Sequence, residues 1–316
     1  MKLSLIIILC LMSFFGYAKE KTDLKSRAVP IGIYVGDISD INFKSQTIDV
    51  NFWVWSTYDV SQEDFGKNLV VTNAIKTSLI KKTEIKLEDG RYLSLSGIRA
   101  TLHQHFSLER YPLNNQIIKI SFEDIKYGVK RQHFVPDKVN SYIGANANYL
   151  SGWGIGKTYW DVDAKRYAAN NYSELPGRKS VTYSRATYHV ELVKEPIRSL
   201  INTFGITFLT FVLGFCIFLL PRDQLNVRIP MIVASVFAVV GNEIASQSSL
   251  PTTNAFMLAD KIFLLGIVAL IINLLLVFLI HYYRQRKVAV ILNGVGLVWC
   301  AVAVPIISVL LLLGWL

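Results

Sequence analysis

The residue types able to do chemistry are thinly spread along this chain. His103 and His105 stand two apart in a stretch of strand-like alternation, so both imidazoles project from one face. Such a pair can hold a divalent metal or take up protons near its ordinary pKa. It can equally be a solvated surface pair; no third ligand stands nearby in sequence, and no metal site is assigned. His133, His189 and His281 complete the five histidines and form no motif. HExxH, P-loop, GxSxG and glycine-rich nucleotide fingerprints are missing from the sequence. That argues against an enzyme, and no cofactor is implied. The other informative stretch is Arg228–Pro251, RIPMIVASVFAVVGNEIASQSSLP, where Asn242, Glu243, Ser246 and Gln247 interrupt an apolar run. Ionisable groups inside a membrane face a bundle interior or water rather than lipid. The stretch reads either as a helix shielded from lipid with one face toward water, or as a buried packing helix whose Glu243 is neutral or paired.

The elements that must position these residues fall into two halves. The 316 residues leave room for two domains, and the 52% of hydrophobic residues are concentrated toward the C-terminal end. The formal charge of +10 comes from scattered lysines and arginines with no nucleic-acid motif, so no nucleic-acid partner is expected. Lys2, the apolar run Leu3–Phe15 and the small-residue site Gly16-Tyr17-Ala18 predict a secretory signal over 1–18. Of the three cysteines, Cys10 lies in that signal and Cys216 and Cys300 in apolar spans, so the exported part should hold no disulfide.

Residues 19–196 read as an exported domain of short strands. Gln46–Trp55 alternates Ile48, Val50, Phe52 and Val54 with Asp49, Asn51, Trp53 and Trp55, the period of a half-buried strand. Further strands are expected at Ile31–Ile38, Lys82–Leu87, Tyr92–Leu108, Ile117–Phe122 and Thr182–Val193, with Asp89-Gly90 marking a hairpin. The fold class is therefore a multi-domain α and β membrane protein: an immunoglobulin-like β-sandwich followed by a four-helix transmembrane domain. That second domain occupies 197–316, with spans at about 198–220, 228–247, 256–282 and 288–315. Four spans after an exported domain put Arg222, Arg228, Arg284, Arg286 and Lys287 on the cytoplasmic side and the uncharged Ser248–Ala255 outside, as the positive-inside rule requires.

Several short motifs then line up in order. Arg110-Tyr111-Pro112-Leu113-Asn114-Asn115-Gln116 resembles the aromatic-Pro-hydrophobic-Asp-x-Gln signature of the Cys-loop receptors. Gln104 and Ile118 stand where the animal receptors have their paired cysteines, which bacterial members also lack. Phe43–Thr47 is similar to the loop between the first two strands of bacterial members, Leu150-Ser151-Gly152-Trp153 to the start of their ninth strand, and Leu250-Pro251 to their link between the second and third spans. Together with the four-span tail, these motifs resemble the bacterial pentameric ligand-gated ion channels over essentially the whole mature chain.

The resemblance implies a homopentamer in the bacterial inner membrane, with agonist binding between periplasmic domains and an axial pore lined by the second span. In that register Pro230, Val233, Ala234, Phe237, Val240, Gly241, Ile244 and Ser248 fall within about 60° of one direction and are expected to face the pore. Phe237 and Ile244 would form a constriction that closes by dewetting. Glu243 falls roughly 120° from Phe237, on the flank. Cation-selective relatives commonly carry a Glu before the inner basic residue; here Asn226 and Val227 precede Arg228, and the Pro-Ala pair of anion-selective members is missing too. Cation conduction is expected only because the bacterial relatives lean that way. Ligand-box residues implied by the family are Tyr127, Tyr167 and Tyr172, with Trp53 from the neighbouring subunit. Aromatic faces favour an ammonium, while Lys165, Arg166, Arg178 and Lys179 nearby suit an acid; the agonist, a small molecule or protons, stays open. The coupling set is Asn42, Lys44, Pro112, Asn114, Lys194, Leu250 and Pro251, with Lys194 facing Asn42 and Asn114 where relatives pair an arginine with acids. The partners expected are thus four further copies, membrane lipid, an agonist and permeant ions. The alternative is a non-conducting membrane-anchored periplasmic receptor of the same fold.

Overall fold

In the computed structural model, residues 26–59, 67–145, 147, 150, 152–168, 180–251, 256–283 and 287–314 are described. The expected signal over 1–18 and the candidate Tyr172 lie outside the described residues.

Alternation builds the first half. In β2 (Thr47–Tyr58), Ile48, Val50, Phe52 and Val54 are buried and the residues between them are half-buried. The same pleat drives β1 (Arg27–Asn42), which buries Val29, Ile31, Ile33 and Val35. The chain continues through β3 (Leu69–Val71), β4 (Ala74–Lys86), β5 (Tyr92–His103), β6 (Gln116–Asp124), β7 (Gln132–Pro136), β8 (Tyr142–Ile143), β9 (Trp153–Ala168) and β10 (Ser180–Lys194). One six-stranded sheet runs β4-β5-β2-β1-β7 with β8 also on β1; the other runs β3-β6-β10-β9. β7 and β8 join β1 in parallel, and the remaining pairs are antiparallel. The hairpin between β4 and β5 closes on Leu87 N–H to Arg91 O at 2.8 Å, with Gly90 at φ 85, a conformation that costs glycine nothing. The two sheets meet over one core, where Phe52 from one stands edge-on to Phe122 from the other, centroids 5.7 Å apart. Burying each such side chain contributes about 1.5–3 kcal/mol.

After β10 the period changes to that of helices. Pro196 opens α1 (Pro196–Leu219) at a position where its missing N–H is not needed. α2 (Leu225–Gln247) and α3 (Leu258–Tyr282) follow, then α4 (Lys287–Val298) and α5 (Val304–Leu313), joined by a π-helical turn over Trp299–Ala303. Pro305 explains that turn: its ring cannot sit beneath the carbonyl of residue 301, and the backbone widens there instead. α4, the turn and α5 form one span, so among the described residues four helical segments are long and apolar enough to cross a membrane.

The polar residues of α2 are used inside the chain. Asn242 donates to Thr203 O at 2.9 Å and Thr207 Oγ1 at 3.1 Å on α1. Gln247 donates to Asp260 Oδ1 on α3 at 2.7 Å, and Ser246 returns its hydroxyl to Glu243 O at 3.0 Å. Arg228, fully buried, donates to Leu220 O and to Asn293 Oδ1, and Asn293 in turn donates to Phe218 O at 2.8 Å. The arginine therefore ties α2 to α1 and α4. Close packing of α4 on α1 is allowed by Gly296, where a Cβ would come within 2.4 Å of the Phe218 ring.

Candidate functional site

α2 presents two unlike faces. Arg228, Ile232, Ser235, Val239 and Asn242 are buried against neighbouring helices. On the other side Phe237 is 73% and Ile244 67% exposed, and Pro230, Val233, Ala234, Gly241 and Ser248 are exposed as well, with Val240 half-buried. Of the eight residues expected to line a pore, seven are thus exposed in the single chain and Val240 half-buried, on a face that is apolar apart from Ser248. The polarity seen in the sequence of this stretch lies on its other sides, with Glu243 half-buried on the flank.

The second cluster lies where the sandwich meets the helices. Leu250 and Met257, from either end of the link between α2 and α3, are each 6% exposed and belong to the sandwich core. Leu258 N–H donates to Glu109 O at 2.9 Å, and Arg110 Nη2 to Leu312 O at 3.0 Å, so the signature loop grips both α3 and the end of the fourth span. Pro112 is buried behind a cis peptide and Pro251 is half-buried. Lys44 is exposed at the tip of the β1–β2 turn. Asn42 accepts Ser45 N–H at 2.9 Å, and Asn114 donates to Ser107 Oγ at 3.2 Å.

Neither amide meets the Lys194 ammonium, and this part of the sequence reading is corrected. Nζ sits 5.2 Å from the Tyr111 ring centroid and 5.0 Å from that of Trp153. Only its backbone N–H approaches an amide, Asn115 Oδ1 at 3.4 Å. The reason is the β10 pleat: Tyr188, Val190 and Leu192 point into the core, and Lys194 is in phase with them. That alternation was available in the sequence and names the rings the family comparison passed over.

The ligand candidates occupy separate surfaces. Trp53 lies on the outer face of the six-stranded sheet, its ring over Gly97 on β5, where a Cβ would come within 3.0 Å. Trp55 lies likewise over Gly32 on β1. Beside Trp55 is a groove of about 550 Å3 lined by Pro30, Leu93, Leu95, Asp137 and Asn140 among others. Burial pushes the Asp137 carboxyl up, but hydrogen bonds from Asn140 and the Trp55 indole outweigh it and hold its pKa below the ordinary value. Sequence reasoning missed this groove because Pro30, Leu95 and Asp137 come from three distant stretches.

Tyr167 lies within β9, paired in register with Val181. Its hydroxyl is 3.0 Å from both Glu123 carboxylate oxygens and accepts from Arg185 Nη2 at 2.7 Å; Arg185 Nε bonds Glu123 Oε1 at 2.6 Å. Burial opposes the Arg185 charge, but Glu123 and Tyr167 outweigh it and raise its pKa. Tyr127 follows β6 in a turn pinned by Asp124, with Lys126 Nζ 5.4 Å from its ring centroid. Within one chain these residues are on the four-stranded sheet and Trp53 is on the other. His103 and His105 are both exposed, and among the described residues no group of three metal-ligating side chains occurs.

No family model matches the sequence. The gamma-aminobutyric acid receptor subunit pi of Bos taurus is 24% identical over 251 residues, 77% of this chain and 52% of the relative. The subunit of the same name from Mus musculus is 24% identical over 255 residues, 78% of this chain and 53% of the relative. The chain spans about half the length of the curated relatives it matches. With four apolar helices after a β-sandwich, this likeness supports a multi-pass membrane protein of the Cys-loop receptor superfamily, without singling out a branch. The relatives are named as receptor subunits, not as enzymes.

Proposed function

We propose that five copies of this chain form a ligand-gated ion channel of the bacterial branch, in the plasma membrane with the sandwich on the periplasmic side. The observation that carries it is the division of α2, whose polar side chains bond α1 and α3 while an apolar stripe is left uncovered. Around an axis, five such stripes line a pore, and rings of Phe237 and Ile244 expel water from it when closed. Agonist binds between neighbouring sandwiches, where Trp53, with Trp55 and Asp137 beside it, meets Tyr127, Tyr167 and Tyr172 of the next copy. Trp53 and Tyr167 lie on opposite sheets of one chain, which suits a site completed only between two copies. Binding shifts a closed–open equilibrium through the joint at Leu250 and Lys194. The ion conducted is a cation, by likeness to the bacterial members alone.

The test is recording from purified protein in planar bilayers while stepping pH and screening small amines and small acids. Evoked currents carried by cations are expected. Intact pentamers that stay silent through the whole screen would favour a second reading, a non-conducting receptor, for which the mostly apolar stripe is the supporting observation.

A further inference from the structure

Lys194 is the last residue of β10, and its side chain leaves the strand on the inner side, below Leu192. It emerges where the two sheets end and the helices begin. Trp153 is its cross-strand partner at the start of β9, and Tyr111 comes from the signature loop. Both ring centroids lie within the roughly 6 Å over which an aromatic face attracts a cation. Phe43, at the β1–β2 turn, backs these rings at 6.4 Å and 6.2 Å and stands 4.8 Å from Phe106. Leu250 and Met257 belong to the buried cluster against which Phe43, Tyr111 and Trp153 pack. Tyr111 reaches further, packing against the buried cluster of the helices as well. Burial lowers the pKa of the Lys194 ammonium. Among the described residues no ion pair joins it to a carboxylate.

We propose that Lys194 is a positioning residue, an internal cation caged by Tyr111 and Trp153, which fastens the last strand of the sandwich to the signature loop and through it to the helices. The hold is set by ring π density rather than by an opposite charge. Its consequence for gating rests on the channel reading; the hold itself does not.

The test uses the full chain purified in detergent, with Trp153 replaced site-specifically by tryptophans bearing successively more ring fluorines. Fluorine withdraws π density and leaves the ring's shape nearly unchanged. The thermal unfolding midpoint is expected to fall step by step along the series, and the steps to vanish in the Lys194→Met background. A flat series, or an equal slope with Lys194→Met, overturns the proposal. Should Lys194→Met not fold, a second measurement decides. Isotope-labelled dimethyl-lysine at 194 must resonate upfield of the exposed lysines through the ring currents, and an unshifted signal overturns the cage. Currents recorded from the same proteins separate the two ideas. A graded midpoint without any current upholds the cage and counts against the channel, whereas a flat midpoint with current does the reverse.

Discussion

Phe237 shows how one side chain can be indifferent to the fold and decisive for function. It is 73% exposed in the single chain and contributes to neither buried cluster, so Phe237→Ala should leave the subunit's stability within about 0.5 kcal/mol. A constriction that closes by dewetting depends on the width and greasiness of its narrowest ring. The substitution should therefore raise resting conductance in planar bilayers while the particle keeps its size on a sizing column. Unchanged leak from an intact assembly would place the gate elsewhere. Lys194 teaches the converse at the same scale. Aligning it with a family arginine assigns it two amide partners, yet the pleat of its own strand turns it toward Tyr111 and Trp153. Local geometry was the better guide.

At the scale of elements, what could be read from the sequence depended on whether a strand had a wet face and a dry one. β2 and the inner residues of β1, β6 and β10 alternate, and the sandwich with four helices behind it follows from them. β4 and β9 are edge strands. Along β4 Ile75, Leu79, Ile80 and Ile85 are exposed beside lysines, and β9 carries charges on both sides of its pleat. Neither gives a period of two, so the sequence reading catches only the end of β4 and the first residues of β9. β10 offers a titration test. His189, 8% exposed, is stacked on Tyr159 of β9 with centroids 4.5 Å apart and lies opposite Lys119 of β6. Neither ring nitrogen has a hydrogen-bond partner among the described residues. Burial first, then Lys119, lowers its pKa, with Asp161 acting weakly the other way. The unfolded chain then takes up its proton before the folded chain does. Stability should fall as pH drops below about 6.5, the ordinary histidine value, and level off only below the folded pKa. His189→Gln should flatten the thermal midpoint between about pH 7 and pH 5; an unaltered slope would assign the acid sensitivity to other groups.

Taken whole, the molecule is two cores with a shared seam. Tyr111 packs against both, while Leu250 and Met257 belong to the chain's membrane half yet sit inside the sandwich. Because of that loan, the sandwich has no floor of its own. A fragment ending at Glu195 would lose both side chains from the core that holds Phe106 and that Phe43 and Trp153 pack against. Such a fragment should bind a hydrophobic dye, clump at micromolar concentration and melt below the full chain. Polar replacements at Phe43 and Trp153 should restore its solubility. Anyone wishing to crystallise the water-facing half alone must first rebuild its underside.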